Sequence, residues 1–245
     1  MNRILEVCVD SLASARAAVR GGADRLELCS ALAIGGLTPY AALLEQIREE
    51  SSIPVRCLMR PRAGDFLYTK EEILQMVREI DVLRKAGADG FVIGCLTPEG
   101  DLDAEAMTPL LSAAEGAGLT LHRCIDVSRD LRATYLAAGE LGIDTVLTSG
   151  GAPNATAGME TIGALLSLEG PQVLIGAGVN AGVIAHFRSR FPAAAAFHMS
   201  GKTEIESGMR FRREGIPMGI PGFDEWHIQQ TGEEAVRKAR EALAK

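Results

Sequence analysis

Aromatic side chains are scarce in this 245-residue chain: seven Phe, three Tyr and a single Trp, 4% in all. That leaves too few rings for a platform on which the bases of a single-stranded nucleic acid would stack. Positive charge is also in deficit, with 25 Lys and Arg against 32 Asp and Glu and a formal net charge of -7. Such a balance lacks the electrostatic footprint of a nucleic-acid or anionic-membrane binder. Long apolar runs are missing too. Charges or glycines break each one before the roughly 18 residues a spanning helix needs, and the N-terminus runs into Arg3-Ile4-Leu5-Glu6-Val7 with no apolar leader. The five cysteines (Cys8, Cys29, Cys57, Cys95, Cys124) form no Cys-x-x-Cys pair. An odd count without that spacing excludes a disulfide framework and a structural zinc knuckle, and points to a reduced, cytoplasmic protein.

What is present is a strand–helix alternation. Hydrophobic residues make up 47% and charged residues 23%, the balance of a packed globular chain. Strands are expected at Leu5–Val9, Arg25–Cys29, Val55–Arg60, Gly90–Gly94, Thr120–Arg123, Thr145–Thr148, Val173–Ala177 and Ala196–Met199. Helices are expected at Ser11–Arg20, Pro39–Ser51, Lys70–Ala86, Ala104–Ala117, Asp130–Leu141, Met159–Leu168 and Ala181–Phe191. Gly21-Gly22, Gly87, Gly118 and Gly142 stand where helices stop. A final helix to Lys245 opens on Thr231-Gly232-Glu233-Glu234, which reads as a capping box. Gly22-Ala23-Asp24, Gly87-Ala88-Asp89 and Gly142-Ile143-Asp144 each lead into a strand, like one repeated unit.

Eight such units in about 250 residues predict an α/β chain folded as a (β/α)8 TIM barrel. The competitor, an open doubly wound sheet, carries Gly-x-Gly-x-x-Gly after its first strand, whereas Asp10-Ser11 follows here. No linker or composition break divides the chain, so residues 1–245 are expected to form one domain. Gly201–Gly222, rich in Gly, Pro and Arg, reads as a long excursion before the last helix.

Strand parity predicts a polar interior. With Leu5, Val7 and Val9 facing the helices, Glu6, Cys8 and Asp10 face inward; by the same alternation Glu27, Cys29, Arg56, Leu58 and Arg60 point in. His122 with Cys124, and His198 with Ser200, share faces on the fifth and eighth strands. Barrel interiors are normally filled by branched apolar residues, and buried charge is costly unless paired. An ion network of Glu6 and Glu27 with Arg56 filling the barrel floor is one reading. Nearer the strand C-termini, where barrel active sites gather, Glu27, Arg60, His122 and His198 are candidate catalytic residues.

The sulfurs of Cys8 and Cys29 lie on adjacent strands with the same parity, and His122, Cys124 and His198 are expected nearby. This set suits a soft metal such as Cu(I), although free cysteine also packs as a small hydrophobe. Cys57 reads as core. The glycine-bearing ends of strands six to eight, with Ser149, Gly150, Gly176, Gly178, Ser200 and Gly201, either hold a phosphate on backbone N–H groups or permit tight turns.

Several stretches together resemble the CutC family. They are Glu6-Val7-Cys8-Val9-Asp10-Ser11, Gly22 to Cys29, Gly35-Gly36-Leu37-Thr38-Pro39, Arg60-Pro61-Arg62-Ala63-Gly64-Asp65-Phe66, Gly94-Cys95-Leu96-Thr97-Pro98, Leu147-Thr148-Ser149-Gly150-Gly151 and Phe197-His198-Met199-Ser200-Gly201. The similarity runs up to Ser207-Gly208-Met209-Arg210-Phe211. The resemblance implies a cytoplasmic (β/α)8 barrel named for copper homeostasis, with Cys8 and Cys29 as Cu(I) ligands and a homo-oligomeric state. His122-Arg123-Cys124-Ile125-Asp126 departs from the family's usual His-Arg-Ala-Phe-Asp, losing an aromatic and gaining a thiol.

Two functions follow as expectations. One is Cu(I) handling by Cys8 and Cys29. The other is an enzyme acting on a small anionic metabolite, with Arg60 and Arg123 holding a carboxylate or phosphate and Glu27 and His122 as acid–base groups. Glu6, Asp126 and the strand-end residues Ser149, Gly150, Gly176, Gly178, Ser200 and Gly201 would complete its ligand contacts.

Overall fold

A computed structural model of the chain describes residues 3–213, 215–216, 218–219 and 224–245. Eight parallel strands, β1 (Ile4–Val9), β2 (Arg25–Leu28), β3 (Val55–Leu58), β4 (Gly90–Ile93), β5 (Gly118–Leu121), β6 (Thr145–Thr148), β7 (Gln172–Ile175) and β8 (Ala196–Met199), close in sequence order into a barrel. Closure through the β1–β8 pairing removes the open-sheet alternative. The helices are α1 (Leu12–Arg20), α2 (Ala41–Glu50), α3 (Lys70–Lys85), α4 (Ala104–Ala113), α5 (Leu131–Glu140), α6 (Met159–Leu165), α7 (Ala181–Arg190) and α8 (Glu233–Ala244).

The apolar parity set of the strands makes the layer beneath the helices. Leu5, Val7, Val9, Leu26, Leu28, Val55, Cys57 and Met59 are all buried there. The repeated Gly-x-Asp units share one task. The carboxylates of Asp24, Asp89 and Asp144 accept the backbone N–H of Leu5, Val55 and Leu119 at 2.8, 2.7 and 2.6 Å. Each aspartate thus fixes the start of the strand before its own, and each also meets an arginine: Arg240, Arg48 and Arg56 respectively.

Several boundaries differ from expectation. Helix α4 tolerates Pro109 but stops at Ala113, so Gly118 opens β5 instead of capping a helix; Gly116, at φ +81°, makes the turn. Arg123 leaves β5 for a 3₁₀ turn, Arg123–Val127, because the His122 ring caps it by accepting the Cys124 N–H. The capping box at Thr231 does not form. Thr231 ends a strand and its hydroxyl donates to the Ser200 carbonyl, leaving Gly232 as the N-cap. The expected excursion contains order: β9 (Lys202–Glu206) pairs antiparallel with β10 (His227–Thr231), placing Ile205 opposite Ile228. Within Gly201–Gly222, residues 214, 217 and 220–222 lie outside the described residues.

The barrel floor is ionic, with a different pairing from the one expected. Arg56 turns away from Glu6 and Glu27 to reach Asp144 at 2.8 Å and the hydroxyls of Thr120 and Thr145 at 2.6 and 3.2 Å. Gly118 makes this path possible, since a Cβ there would stand 2.5 Å from the Arg56 guanidinium. The cation for Glu6 is Arg25, which lies beside Glu6 in the β1–β2 register and two residues before Glu27.

Candidate metal centre and mouth cavity

Strand register brings Cys8, Glu27 and His198 together, because β1 lies between β2 and β8 and pairs Cys8 with Glu27 and Glu6 with His198. One donor atom from each of these three residues lies within 4.8 Å of the other two. His198 is fixed from behind, with Nδ1 standing 2.8 Å from Glu6 Oε1, while its Nε2 faces Glu27 at 3.8 Å. The second Glu6 oxygen accepts from Arg25 Nε at 2.5 Å. A carboxylate behind an imidazole fixes the ring and its tautomer, as in many metal sites.

The electrostatics divide the two glutamates. Burial pushes Glu6 upward, but Arg25 and His198 overcome it and hold the carboxyl down at about 2. Glu27 is shifted upward by burial and by the Glu6 charge. Burial opposes charge on His198, yet Cys8 and Glu27 raise it well above the ordinary imidazole range. A proton on Nε2 therefore occupies the place between thiol and carboxyl where a metal cation would sit.

Cys29 lies beside this group. It packs with Cys8, Leu58 and Val92, and its thiol donates to Glu27 Oε2 at 3.5 Å. Burial and the neighbouring Glu27 push this thiol well above the usual range. Cys124 does not join them. It is buried with Cys95 in the apolar layer under the helices. Cys57 is core, as expected, and burial takes it up to about 12.

Above the group opens a cavity of about 450 Å³, walled by Cys8, Glu27, Arg60, Phe66, His122, Arg123, Gly178, His198 and Lys202, among others. His122 is buried, and burial together with the Arg60 charge lowers it to about 3, so the ring is neutral. Its Nδ1 accepts from the Cys124 N–H at 3.2 Å, which leaves the proton on Nε2, and that nitrogen has no partner. The ring therefore acts as a hydrogen-bond donor and is a poor base at neutral pH. Phe66 covers it with ring centroids 4.8 Å apart and also lies 5.3 Å from the Arg60 guanidinium.

Arg60 donates to the carbonyls of Ile34, Gly36 and Gly64 at 3.0–3.1 Å. Among the described residues no carboxylate pairs with it, and its Nε is unpartnered.

The loop after β6 is arranged differently from a phosphate cradle. Asp126 already occupies it, accepting from the N–H groups of Ser149 and Gly151 at 3.0 Å and from the Thr148 hydroxyl at 2.5 Å. The Gly150 N–H goes to the Thr148 hydroxyl at 2.8 Å. Arg123 completes the knot, 2.7 Å from both Asp126 and the Ser149 hydroxyl, and still reaches the cavity wall. Of the other strand-end candidates, Gly178 and Ser200 line the cavity. Gly176 leaves room for Leu147, 2.5 Å from where a Cβ would stand, and Gly201, at φ +56°, turns the chain into β9.

Sequence reasoning missed Arg25, Phe66 and Lys202. Parity held a signal for Arg25, which shares the face of Glu27. Lys202 reaches the mouth only because β9 folds back, for which the sequence offered no periodic pattern.

The sequence profile of the CutC family matches residues 3–203. A family protein CutC of Porphyromonas gingivalis is 41% identical over 98% of this chain and 97% of its own length. One from Vibrio campbellii is 38% identical over 99% of this chain and 100% of its own. The solved structure of a CutC from Streptococcus agalactiae, a protein named for copper homeostasis, superposes with a TM-score of 0.76 at 26% identity, covering 81% of this chain and 98% of that one. Profile, full-length relatives and barrel agree: the chain belongs to the CutC family.

Proposed function

We propose that this protein binds Cu(I) in the mouth of its barrel and serves copper homeostasis in the cytoplasm, with Cys8 and His198 as ligands and Cys29 adjacent. The observation that carries this reading is the three-donor group of Cys8, Glu27 and His198, with Glu6 fixing the imidazole from behind. The donor chemistry fits, since thiolate is soft and imidazole accepts copper. The name of the Streptococcus agalactiae relative supports it from a second side.

Each residue has its own task. Glu6 keeps Nδ1 of His198 engaged so that the Nε2 lone pair is aimed at Cys8 and Glu27 once its proton leaves. Glu27 accepts a hydrogen bond from the Cys29 thiol, which keeps that sulfur close to the group. Binding displaces protons from Cys8 and His198, so affinity rises with pH.

The test is a titration of the reduced protein with Cu(I) against a competing chelator. One ion per chain, with binding lost in Cys8→Ala and in His198→Ala, is the expected result. Undiminished affinity in both variants overturns the proposal. Cys29→Ala assigns the remaining sulfur: a loss as large as that of Cys8→Ala makes it a direct ligand.

A further inference from the structure

Arg60 is 9% exposed and lines the mouth cavity, yet among the described residues no carboxylate lies within ion-pair distance of it. A buried cation held only by carbonyl dipoles is costly, and such a charge is retained where something else neutralises it. Next to it on the same wall is a second unsatisfied group, the Nε2–H of His122, a residue 4% exposed. The two donors cannot satisfy one another, since both carry hydrogen and neither offers a lone pair. Lys202, also without an ion-pair partner among the described residues, stands on the wall from the start of β9, and Arg123 adds a partly neutralised charge.

We propose that the mouth cavity is a binding site for the carboxylate or phosphate group of a small metabolite, held by Arg60 and the His122 Nε2–H, with Lys202 facing it from the β9 side. The wall holds Arg60, Arg123 and Lys202, with His198 at its base, against one glutamate, Glu27, so the field in the cavity favours an anion. Its volume of about 450 Å³ fits a metabolite-sized molecule and no macromolecular segment. Arg60 supplies a fixed, permanently charged donor, its fork oriented by the carbonyls of Ile34, Gly36 and Gly64. His122 supplies a neutral donor, so the site distinguishes an oxygen acceptor from a mere negative charge. Phe66 packs against both groups. Its donors are separate from the Cys8–Glu27–His198 group, although both sets of residues line the same cavity.

Calorimetric titration of the metal-free protein with inorganic phosphate and, separately, with malonate at constant ionic strength tests this. Saturable binding of at least one of the two is expected. It should weaken about tenfold in His122→Phe, which keeps the ring and removes the donor, and severalfold in Lys202→Met. Arg60→Lys retains charge without the fork and should also weaken binding; should it fail to fold, the other two variants still decide. No binding of either anion, or binding unaltered in both His122→Phe and Lys202→Met, overturns the proposal. Cu(I) binding measured on the same variants should be unchanged, which separates this site's failure from that of the copper centre.

Discussion

Glu6 Oε1 stands 2.8 Å from Nδ1 of His198 although the two residues are 192 positions apart in the chain. The contact forms because β1 and β8 are neighbours in the closed barrel, and it joins the ionic floor to the Cys8–Glu27–His198 group above it.

Glu6 has two partners, Arg25 and His198, and no exposure to water. Replacing it with Gln leaves the Arg25 guanidinium buried without an anion. Breaking one side of a buried pair costs about 3–5 kcal/mol. Urea denaturation of Glu6→Gln should show a loss of that order, with the slope of the transition unchanged.

His122 makes stability pH-dependent on the acid side. Its pKa is about 3 in the folded protein against 6.5 for a free imidazole. The unfolded chain thus takes up the proton first as pH falls. The contribution is complete above 6.5 and lost progressively between 6.5 and 3. By pH 5.5 the loss is on the order of 1 kcal/mol. His122→Phe should remove this part of the slope in urea titrations at pH 7.5 and 5.5. His198, shifted the opposite way, loses its contribution as pH rises from the free imidazole value towards its own raised one, so it opposes the His122 slope in this range, and the difference between wild type and His122→Phe isolates the His122 part.

Thiol accessibility should rank the cysteines. Cys8 lines the cavity, whereas Cys29, Cys57 and Cys124 are sealed and their thiols are pushed upward by burial. Since the thiolate is the reactive form, brief treatment of native protein with iodoacetamide should label Cys8 first. Mass spectrometry of the peptides reads the order, and prior loading with Cu(I) should protect Cys8.

Gly118 tests the floor. A methyl group there would stand 2.5 Å from an Arg56 guanidinium already fixed by Thr120, Thr145 and Asp144. Gly118→Ala should cost about 1–3 kcal/mol, the usual range for overpacking, with the Cu(I) affinity intact.

The barrel and its parity were legible because alternation along each strand sorts Leu5, Val7 and Val9 from Glu6 and Cys8 with no tertiary information. The same alternation brought Glu27 and His198 into one interior. Parity does not specify which cation answers which anion. Arg56 and Arg25 both face inward, and only the register and the glycine path beneath Arg56 give Glu6 to Arg25 and Asp144 to Arg56. The glycines after β6 looked like a phosphate cradle, but a carboxylate 23 residues upstream in sequence, Asp126, takes the Ser149 N–H. That competition is invisible in a local motif. The β9–β10 pairing was hidden because its residues are largely exposed and carry no apolar alternation.

Closure of the barrel depends on the first and last strands meeting. Three of the junctions are fastened by Asp24, Asp89 and Asp144, but at the seam the amide of Ile4 bonds the carbonyl of Ala195, and among the described residues no aspartate fastens it in that way. Cys8 and His198 stand on opposite sides of that seam. If Cu(I) is held there as proposed, the ion would act as a clasp between the two ends of the barrel, and resistance of β1 and β8 to local opening would rise with loading. Amide hydrogen exchange along these two strands would record the occupancy of the site from the backbone, without observing the metal at all.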